Sequence, residues 1–512
     1  MKKSTRIIAL ILAMLMVLPF LASCADDGPS DYTRPPDESG SDDGEFAEAD
    51  YNGDKFTFLF IKHSDVGKDY YGGNYLDAET YTGDTIGDAV YARNLAVEEK
   101  YKVDIEEHVE VNGDPASLIQ KKIMAGEFDH DVIYGWGYKL GACIPENFFA
   151  DFNELSNVDM TKEYWSPSAI EDLTINDKLY LCINDISMNK LEWASLLFYN
   201  KNMAEDYNIN AEFGSFYDLV TSGKWTTDIL LKMIQSVSTD LNGDGAIGKD
   251  DVYGMLDGGA DGSWAAACSE IPLTEKQEDG SYKLCFYSEK LLSIIDKVQP
   301  VFSNKKFVKD YDDIWSEGGV DGNGGYGDQW EYARSFFSTD HALFCSGSAY
   351  ITSEFRNMTS AYGIIPFPKY DEKQENYVAE VSSLASIFAL PATVRTDVDS
   401  AGMERTGTVL EYMAYKSNEL LLPVYYDTLL KGQRLDNDED SEMLDIIRSS
   451  IRYQFCAMVG IEDIEGIVTT MFEKPTTATS TYKRNEKKLQ KQLDDYYAKI
   501  IMLESKNKKD AE

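Results

Sequence analysis

The chain has 512 residues, with 89 acidic side chains against 48 basic ones and a formal net charge of −41. So negative a balance excludes a nucleic-acid-binding surface and a cationic membrane-surface mode, while leaving the chemistry of any one cleft open. The length exceeds what a single hydrophobic core organises and calls for two domains.

The opening residues MKKSTRIIALILAMLMVLPFLASC place three cations (Lys2, Lys3, Arg6) before an apolar run that ends in small residues and Cys24. That order marks a secretory signal, residues 1–23, to be set aside from fold reasoning. The ending LASC goes further. It puts a thiol where a lipoprotein signal peptidase cuts, so Cys24 is expected to carry acyl chains, each buried CH2 contributing ~0.8 kcal/mol to anchoring. Without the signal, the charge falls to about −44. Residues 24–50 then hold ten acids, three prolines and little that is apolar. Such a segment cannot offset its ordering entropy and is expected to act as a flexible tether.

KFTFLFI (55–61) alternates and is aromatic, which predicts a strand. DAVYARNLAVEEKY (88–101) predicts a helix, and KVDIEEHVEV (102–111) the next strand. ASLIQKKIMAG (116–126) is a helix closed by glycine, and DVIYG (131–135) a third strand. Strand, helix, strand, helix, strand is the pattern of a parallel α/β layer. LEWASLLFYNKNM (191–203) reads as strand-like, and KWTTDILLKMIQSV (224–237) as a helix begun at Thr226 and Thr227. HALFCSGSAY (341–350), AYGIIPFPKY (361–370) and SLASIFALP (383–391) read as strands, the second leaving in an extended exit imposed by its prolines. Residues 402–432 hold two helices, the second begun by Pro423. SEMLDIIRSSI (441–451) is amphipathic, and a charged terminal helix has Leu489, Leu493, Tyr496 and Ile500 on one face. Six cysteines remain after Cys24. They are scattered in apolar settings, so buried thiols are expected, with Cys268–Cys285 the one pairing left open.

The run DLNGDGAIGKDD (240–251) matches a calcium loop position by position. Asp240, Asn242 and Asp244 stand at the first, third and fifth places, Gly245 makes the turn, and Ala246 offers its carbonyl. Asp251 closes at the twelfth place, where glutamate is usual, and its shorter arm weakens the site. DVYGMLDGG follows instead of a helix, so a structural Ca2+ is expected without a complete EF hand. The alternative is a solvated loop.

The lipobox, the N-terminal strand–helix–strand, NDKLYLCIND with LLFYNKNM, the GIIPFPKY exit and YYDTLLKGQRLDNDEDSEMLDII together resemble the family 1 extracellular solute-binding proteins of ATP-driven (ABC) importers, which receive sugars and oligosaccharides. The resemblance spans nearly everything from 55 to 493. It implies a type II periplasmic-binding-protein-like α/β clamshell with discontinuous lobes: 51–182 and 362–418 in the first, 183–361 and 419–512 in the second. The chain would cross near 181–185, 362–366 and 416–423. A carbohydrate would lie between the lobes, whose closure would present a surface to the permease's transmembrane subunits. The implied protein is a monomer held to the membrane by its lipid.

Sugar recognition needs flat ring faces and polar groups in the ring plane, and the chain has 33 Tyr, 23 Phe and 7 Trp. Trp136, with Tyr138 and Lys139, follows the strand DVIYG, at a carboxyl end where such sheets bind ligands. Tyr350 stands where the resemblance places a stacking aromatic. Asp185 follows the first crossover, Trp264 follows a glycine-rich loop, Trp193 sits in KLEWASLL, and Tyr70 and Tyr71 follow the first strand. Each of these also has a plain reading as a packed side chain. The four histidines lack metalloprotease spacing, and neither a G-x-S-x-G elbow nor a phosphate loop is present, so an enzyme is not expected. Two other readings remain. One is the same fold with a peptide or polyamine, favoured by a carboxylate pair and few stacked aromatics in the cleft. The other is an adhesion or scaffold lipoprotein without a closable cleft.

Overall fold

The computed structural model describes residues 46–62, 75–78, 80–81, 83–248, 250–258, 262–311, 329–355, 357–395, 401–430, 438–461 and 464–511. Cys24, the signal, the tether up to 45, and Tyr70 and Tyr71 lie outside the described residues. Phe46, within the segment expected to be a free tether, packs on Tyr412 and Tyr415 with ring centroids 5.0 and 4.8 Å away. This large apolar side chain ends the tether earlier than composition implied.

In chain order the first strands are β1 (Asp54–Lys62), β2 (Val103–Val111), β3 (Val132–Trp136), β4 (Phe149–Ala150) and β5 (Leu181–Cys182). Then come β6 (Ser195–Asn200), β7 (Tyr253–Asp257), β8 (Thr274–Lys276), β9 (Tyr282–Leu284) and β10 (Val308–Asp310). The last are β11 (Ala342–Ser348), β12 (Tyr362–Ile365), β13 (Ala379–Glu380), β14 (Ser386–Pro391) and β15 (Ile451–Arg452). Two larger sheets result. The first runs β2-β1-β3-β14-β4, with β5 also on β14, and the second runs β10-β7-β11-β6-β12. Each is parallel at one side, β1 with β2 and β3, or β7 with β10 and β11. Each is antiparallel at the other, where β14 joins β3 and where β6 joins β11 and β12. The α/β class expected from the sequence therefore holds, in mixed rather than purely parallel sheets.

β1 is buried on both faces from Phe56 to Ile61, where every residue but Thr57 is apolar. Helix Thr85–Tyr101 begins where the Asp84 carboxylate accepts from Gly87 N–H at 2.9 Å and ends at Lys102 in a left-handed conformation. On this helix Arg93 is fully buried. Its guanidinium donates to the carbonyls of Tyr75 (2.7 Å), Leu76 (3.1 Å) and Ile186 (2.9 Å) and to Asn94 Oδ1. Burial pulls its pKa down to about 9. In the second layer, helix Thr227–Val237 lies directly on β7, where a side chain at Gly254 would meet the Ile234 carbonyl at 2.0 Å.

The chain leaves the first sheet after Cys182 and enters the second at Ser195. Residues 362–365, expected at the return, pair instead with β6, because GII is an apolar strand before its prolines act. The chain re-enters the first sheet at Ser386. Helices Ala401–Leu420 and Leu422–Leu430 pack on Thr85–Tyr101, and helix Asp438–Ser449 packs on β12. The third passage thus falls after 430 rather than at 416–423. The terminal helix Ala478–Ala511, assigned to the second lobe by its place in the chain, touches the first layer and the separate β8–β9 hairpin. Gln490 Nε2 donates to the Tyr282 carbonyl at 2.9 Å, and the Tyr496 hydroxyl donates to the Gly141 carbonyl at 2.8 Å. All six cysteines among the described residues are free, so the Cys268–Cys285 pairing does not form. No helix among the described residues is long and apolar enough to cross a membrane.

Candidate functional site

A cavity of about 610 Å3 opens at the carboxyl ends of β7 and β11, the place where open α/β sheets receive ligands. Its walls also take residues from the start of β6, from β13 and the turn after it, and from helix Ile464–Glu473. Two aromatic stacks stand in it. Trp193 lies over Tyr350 with centroids 4.9 Å apart and planes 17° apart, and Trp264 over Phe367 at 4.5 Å and 25°. The Trp264 N–H has no hydrogen-bond partner among the described residues. Arg334 reaches over the Tyr350 ring at 5.5 Å and is ion-paired with Glu354. The Ser346 hydroxyl donates to Asp257 Oδ1 at 3.0 Å and accepts from Gly258 N–H at 2.8 Å, which holds the loop after β7 against β11.

The same cavity carries Glu380 of β13 and Glu465. Their carboxyls lie close enough to interact, with the Gln454 side chain beside Glu380. Burial, then the charge of Glu465, pushes Glu380 up to about 8, and burial raises Glu465 as well. Glu465 is exposed to the cavity, and Glu380 is half-buried. Nothing in the sequence announces this pair, because its members come from two distant segments brought together when β13 and β15 pair.

The structure gathers Trp193, Trp264 and Tyr350 in one cavity. Trp136 ends β3 and is 8% exposed, with its ring 5.8 Å from that of Tyr138. The Lys139 ammonium sits 5.1 Å from the same Tyr138 ring. These three do not line the cavity. Gly137 N–H donates to the Ala385 carbonyl at 2.8 Å and Tyr138 N–H to that of Ser383 at 3.1 Å, so their helix Gly137–Gly141 abuts the turn carrying Ser382 and Leu384, which do. Asp185 is fully buried. It is ion-paired with Lys190, accepts from Arg448 Nη2 at 3.0 Å and from Asn418 Nδ2 at 2.6 Å. Burial raises its pKa, but Lys190 and Arg448 outweigh that and hold the carboxyl below the usual range. Its oxygens face protein donors rather than the cavity, so it ties the passage between layers. Tyr71 lies outside the described residues.

Residues 240–248 and 250–251 belong to a loop closed on its own amides. Asp240 accepts from Gly243 and Gly245 N–H at 2.6 and 2.8 Å, and Asn242 Oδ1 from Asp244 N–H at 2.9 Å. Asp244 Oδ1 accepts from Ala246 N–H at 2.8 Å. Asp251 accepts from Leu241 and Gly248 N–H at 2.8 and 2.7 Å, and these bonds hold its pKa down. The loop opens into β7, as DVYGMLD implied.

No protein-family model and no curated protein matches the chain. Solved structures do. One is UspC of M. tuberculosis, with 12% identity over 85% of this chain and 99% of that one and a TM-score of 0.53. Another is a cyclo/maltodextrin-binding protein complexed with maltotetraose, with 14% identity over 86% and 98% and a TM-score of 0.52. A third is the ABC substrate-binding protein Lmo0181 from Listeria monocytogenes in complex with cycloalternan, with 11% identity over 86% and 99% and a TM-score of 0.51. At these identities the likeness establishes the fold: a two-lobed periplasmic-binding-protein-like clamshell.

Proposed function

We propose that the chain is the extracytoplasmic receptor of an ABC importer, holding a carbohydrate between its lobes and delivering it to a membrane permease. The observation that carries this reading is the pair of aromatic stacks, Trp193 on Tyr350 and Trp264 on Phe367, around one cavity. Ring faces take the C–H surfaces of a pyranose, while Ser195, Ser348 and Gln454 in the lining reach its hydroxyls. The neighbours in complex with cycloalternan and maltotetraose support the same class. Thermal unfolding across a panel of oligosaccharides, peptides and polyamines tests it. A bound sugar at a hundred times its Kd should stabilise by about 2.7 kcal/mol. Stabilisation by a peptide alone would sink the carbohydrate class.

Three further parts belong to this reading. Cys24 carries lipid and holds a monomeric receptor at the outer face of the membrane. Residues 240–251 hold one Ca2+ through Asp240, Asn242, Asp244, the Ala246 carbonyl and Asp251, bracing helix Thr227–Val237 against β7. The residue types support this, since carboxylates, an amide oxygen and a carbonyl are the donors calcium takes, while among the described residues no three acids already converge on one point. Calorimetric titration of the apo protein should give one calcium site, weakened at least about ten-fold by Asp244→Ala; identical isotherms would sink the assignment.

A further inference from the structure

The Glu380–Glu465 pair sits in the cavity without a countercharge. The titratable groups that bear on it from the packed elements are the thiols of Cys268 and Cys456, neither of which can be positive. Gln454 is neutral, and its Oε1 is taken by Leu273 N–H at 3.0 Å. Arg334 lines the same cavity, but Glu354 holds its guanidinium. Among the described residues neither glutamate is ion-paired with a lysine, arginine or histidine. Two crowded carboxyls in that setting share a proton rather than both ionise. Uncompensated acids of this kind, in a wall otherwise built of ring faces and a partnerless indole N–H, lack a cationic donor.

A protonated amine supplies what is missing. It lets both carboxyls ionise, donates to each, and is attracted to aromatic faces. A neutral hydroxyl would leave the negative charge in place. We propose that the solute carries a protonated amino group seated between Glu380 and Glu465, and so is an amino-sugar oligosaccharide. The sugar part of this rests on the carbohydrate reading above, while the amine part does not. Binding would then expel the shared proton to the buffer as the amine's charge replaces it, a net release of up to one proton per ligand at a pH below the Glu380 value of about 8, less the proton taken up by any amine that arrives neutral.

The test uses the full mature chain, with a glucosamine tetramer, its fully N-acetylated counterpart, and spermidine as a sugar-free amine. Calorimetry at about pH 6.5 in two buffers of different ionisation enthalpy gives affinity and proton release together. The amino tetramer should bind at least about ten-fold more tightly than the acetylated one, with proton release. Glu465→Gln keeps the side chain's shape and lies open to the cavity, so the fold should be retained, as an unchanged melting temperature would show. In it the preference should shrink to within about three-fold and the proton release should vanish. An acetylated tetramer that binds equally or better overturns the amine and leaves the carbohydrate reading standing, and so does a preference that Glu465→Gln does not change. Glu465-dependent binding of spermidine with neither tetramer keeps the amine and overturns the sugar. Binding of none of the three overturns both.

Discussion

Asp185→Ala is expected to destabilise the protein by about 3–5 kcal/mol, seen as a lower urea midpoint with little change in slope. The reason lies in what the carboxylate holds. Lys190 stands just past the first passage between layers, Asn418 at the end of helix Ala401–Leu420, and Arg448 on helix Asp438–Ser449. Removing this anion leaves the buried Lys190 ammonium without an ionic partner and leaves Arg448 only its longer contact with the exposed Glu163 at 3.4 Å, and an uncompensated buried charge costs far more than the pair itself contributes. The Asp185 backbone N–H also donates to the Tyr164 carbonyl at 2.8 Å, and this bond survives the substitution, so the loss is that of the carboxylate. A pH series separates charge from packing. The Asp185 carboxyl is held below its unfolded value, so its contribution is full above that value, about 3.9, and fades as pH falls through the lower folded one. The variant should therefore show a shallower loss of stability on the acid side. An acid limb identical to wild type, or a midpoint within about 0.5 kcal/mol, would mean the cluster is not held by charge.

The second large effect is expected at Trp193. Replacing it with alanine should weaken the best carbohydrate ligand by at least about thirty-fold, near 2 kcal/mol, because the ring forms one of the two stacks in the cavity. It is 9% exposed, so the same change also removes core packing, with an expected stability loss of about 3–5 kcal/mol. Trp193→Phe keeps a flat face over Tyr350 and separates the two consequences. It should recover most of the stability and part of the affinity. Calorimetry on both variants, folded at low temperature, gives the answer; full affinity in Trp193→Ala would place the ligand elsewhere.

The elements were largely readable because period and punctuation agreed. Gly126 ends its helix in the left-handed conformation that suits glycine, at φ 68°, and the mostly apolar centre of β1 is buried from Phe56 to Ile61. Passages between layers were harder to place. GII before Pro366 reads as the end of a strand, but the partner of that strand is set by β6, a tertiary choice that no local pattern carries. Of the aromatic candidates, Trp193, Trp264 and Tyr350 fall in the cavity and Trp136 does not, since a bulky ring stands out in sequence while the wall it joins is set by the fold. Asp185 was legible as important and misread in role: a lone acid after a crossover looks like an acceptor for ligand, and only the fold shows that Lys190, Asn418 and Arg448 take it. Glu380 and Glu465 were invisible among 89 acids, since what distinguishes them is the absence of a cation nearby. The same holds for His108 and His130, unrelated by spacing yet with ring nitrogens 3.0 Å apart across the edge of the first sheet.

The terminal helix has a mechanical consequence. Its 34 residues span about 50 Å, and it is fastened to the β8–β9 hairpin at Gln490 and to the Gly141 turn at Tyr496, less than two turns further on. Fastenings so close together act as a pin rather than a spring. The rod ties the hairpin to the first layer at two neighbouring points and also packs along helix Ile464–Glu473, which lines the cavity, so a shift at this end would be felt at the cavity wall.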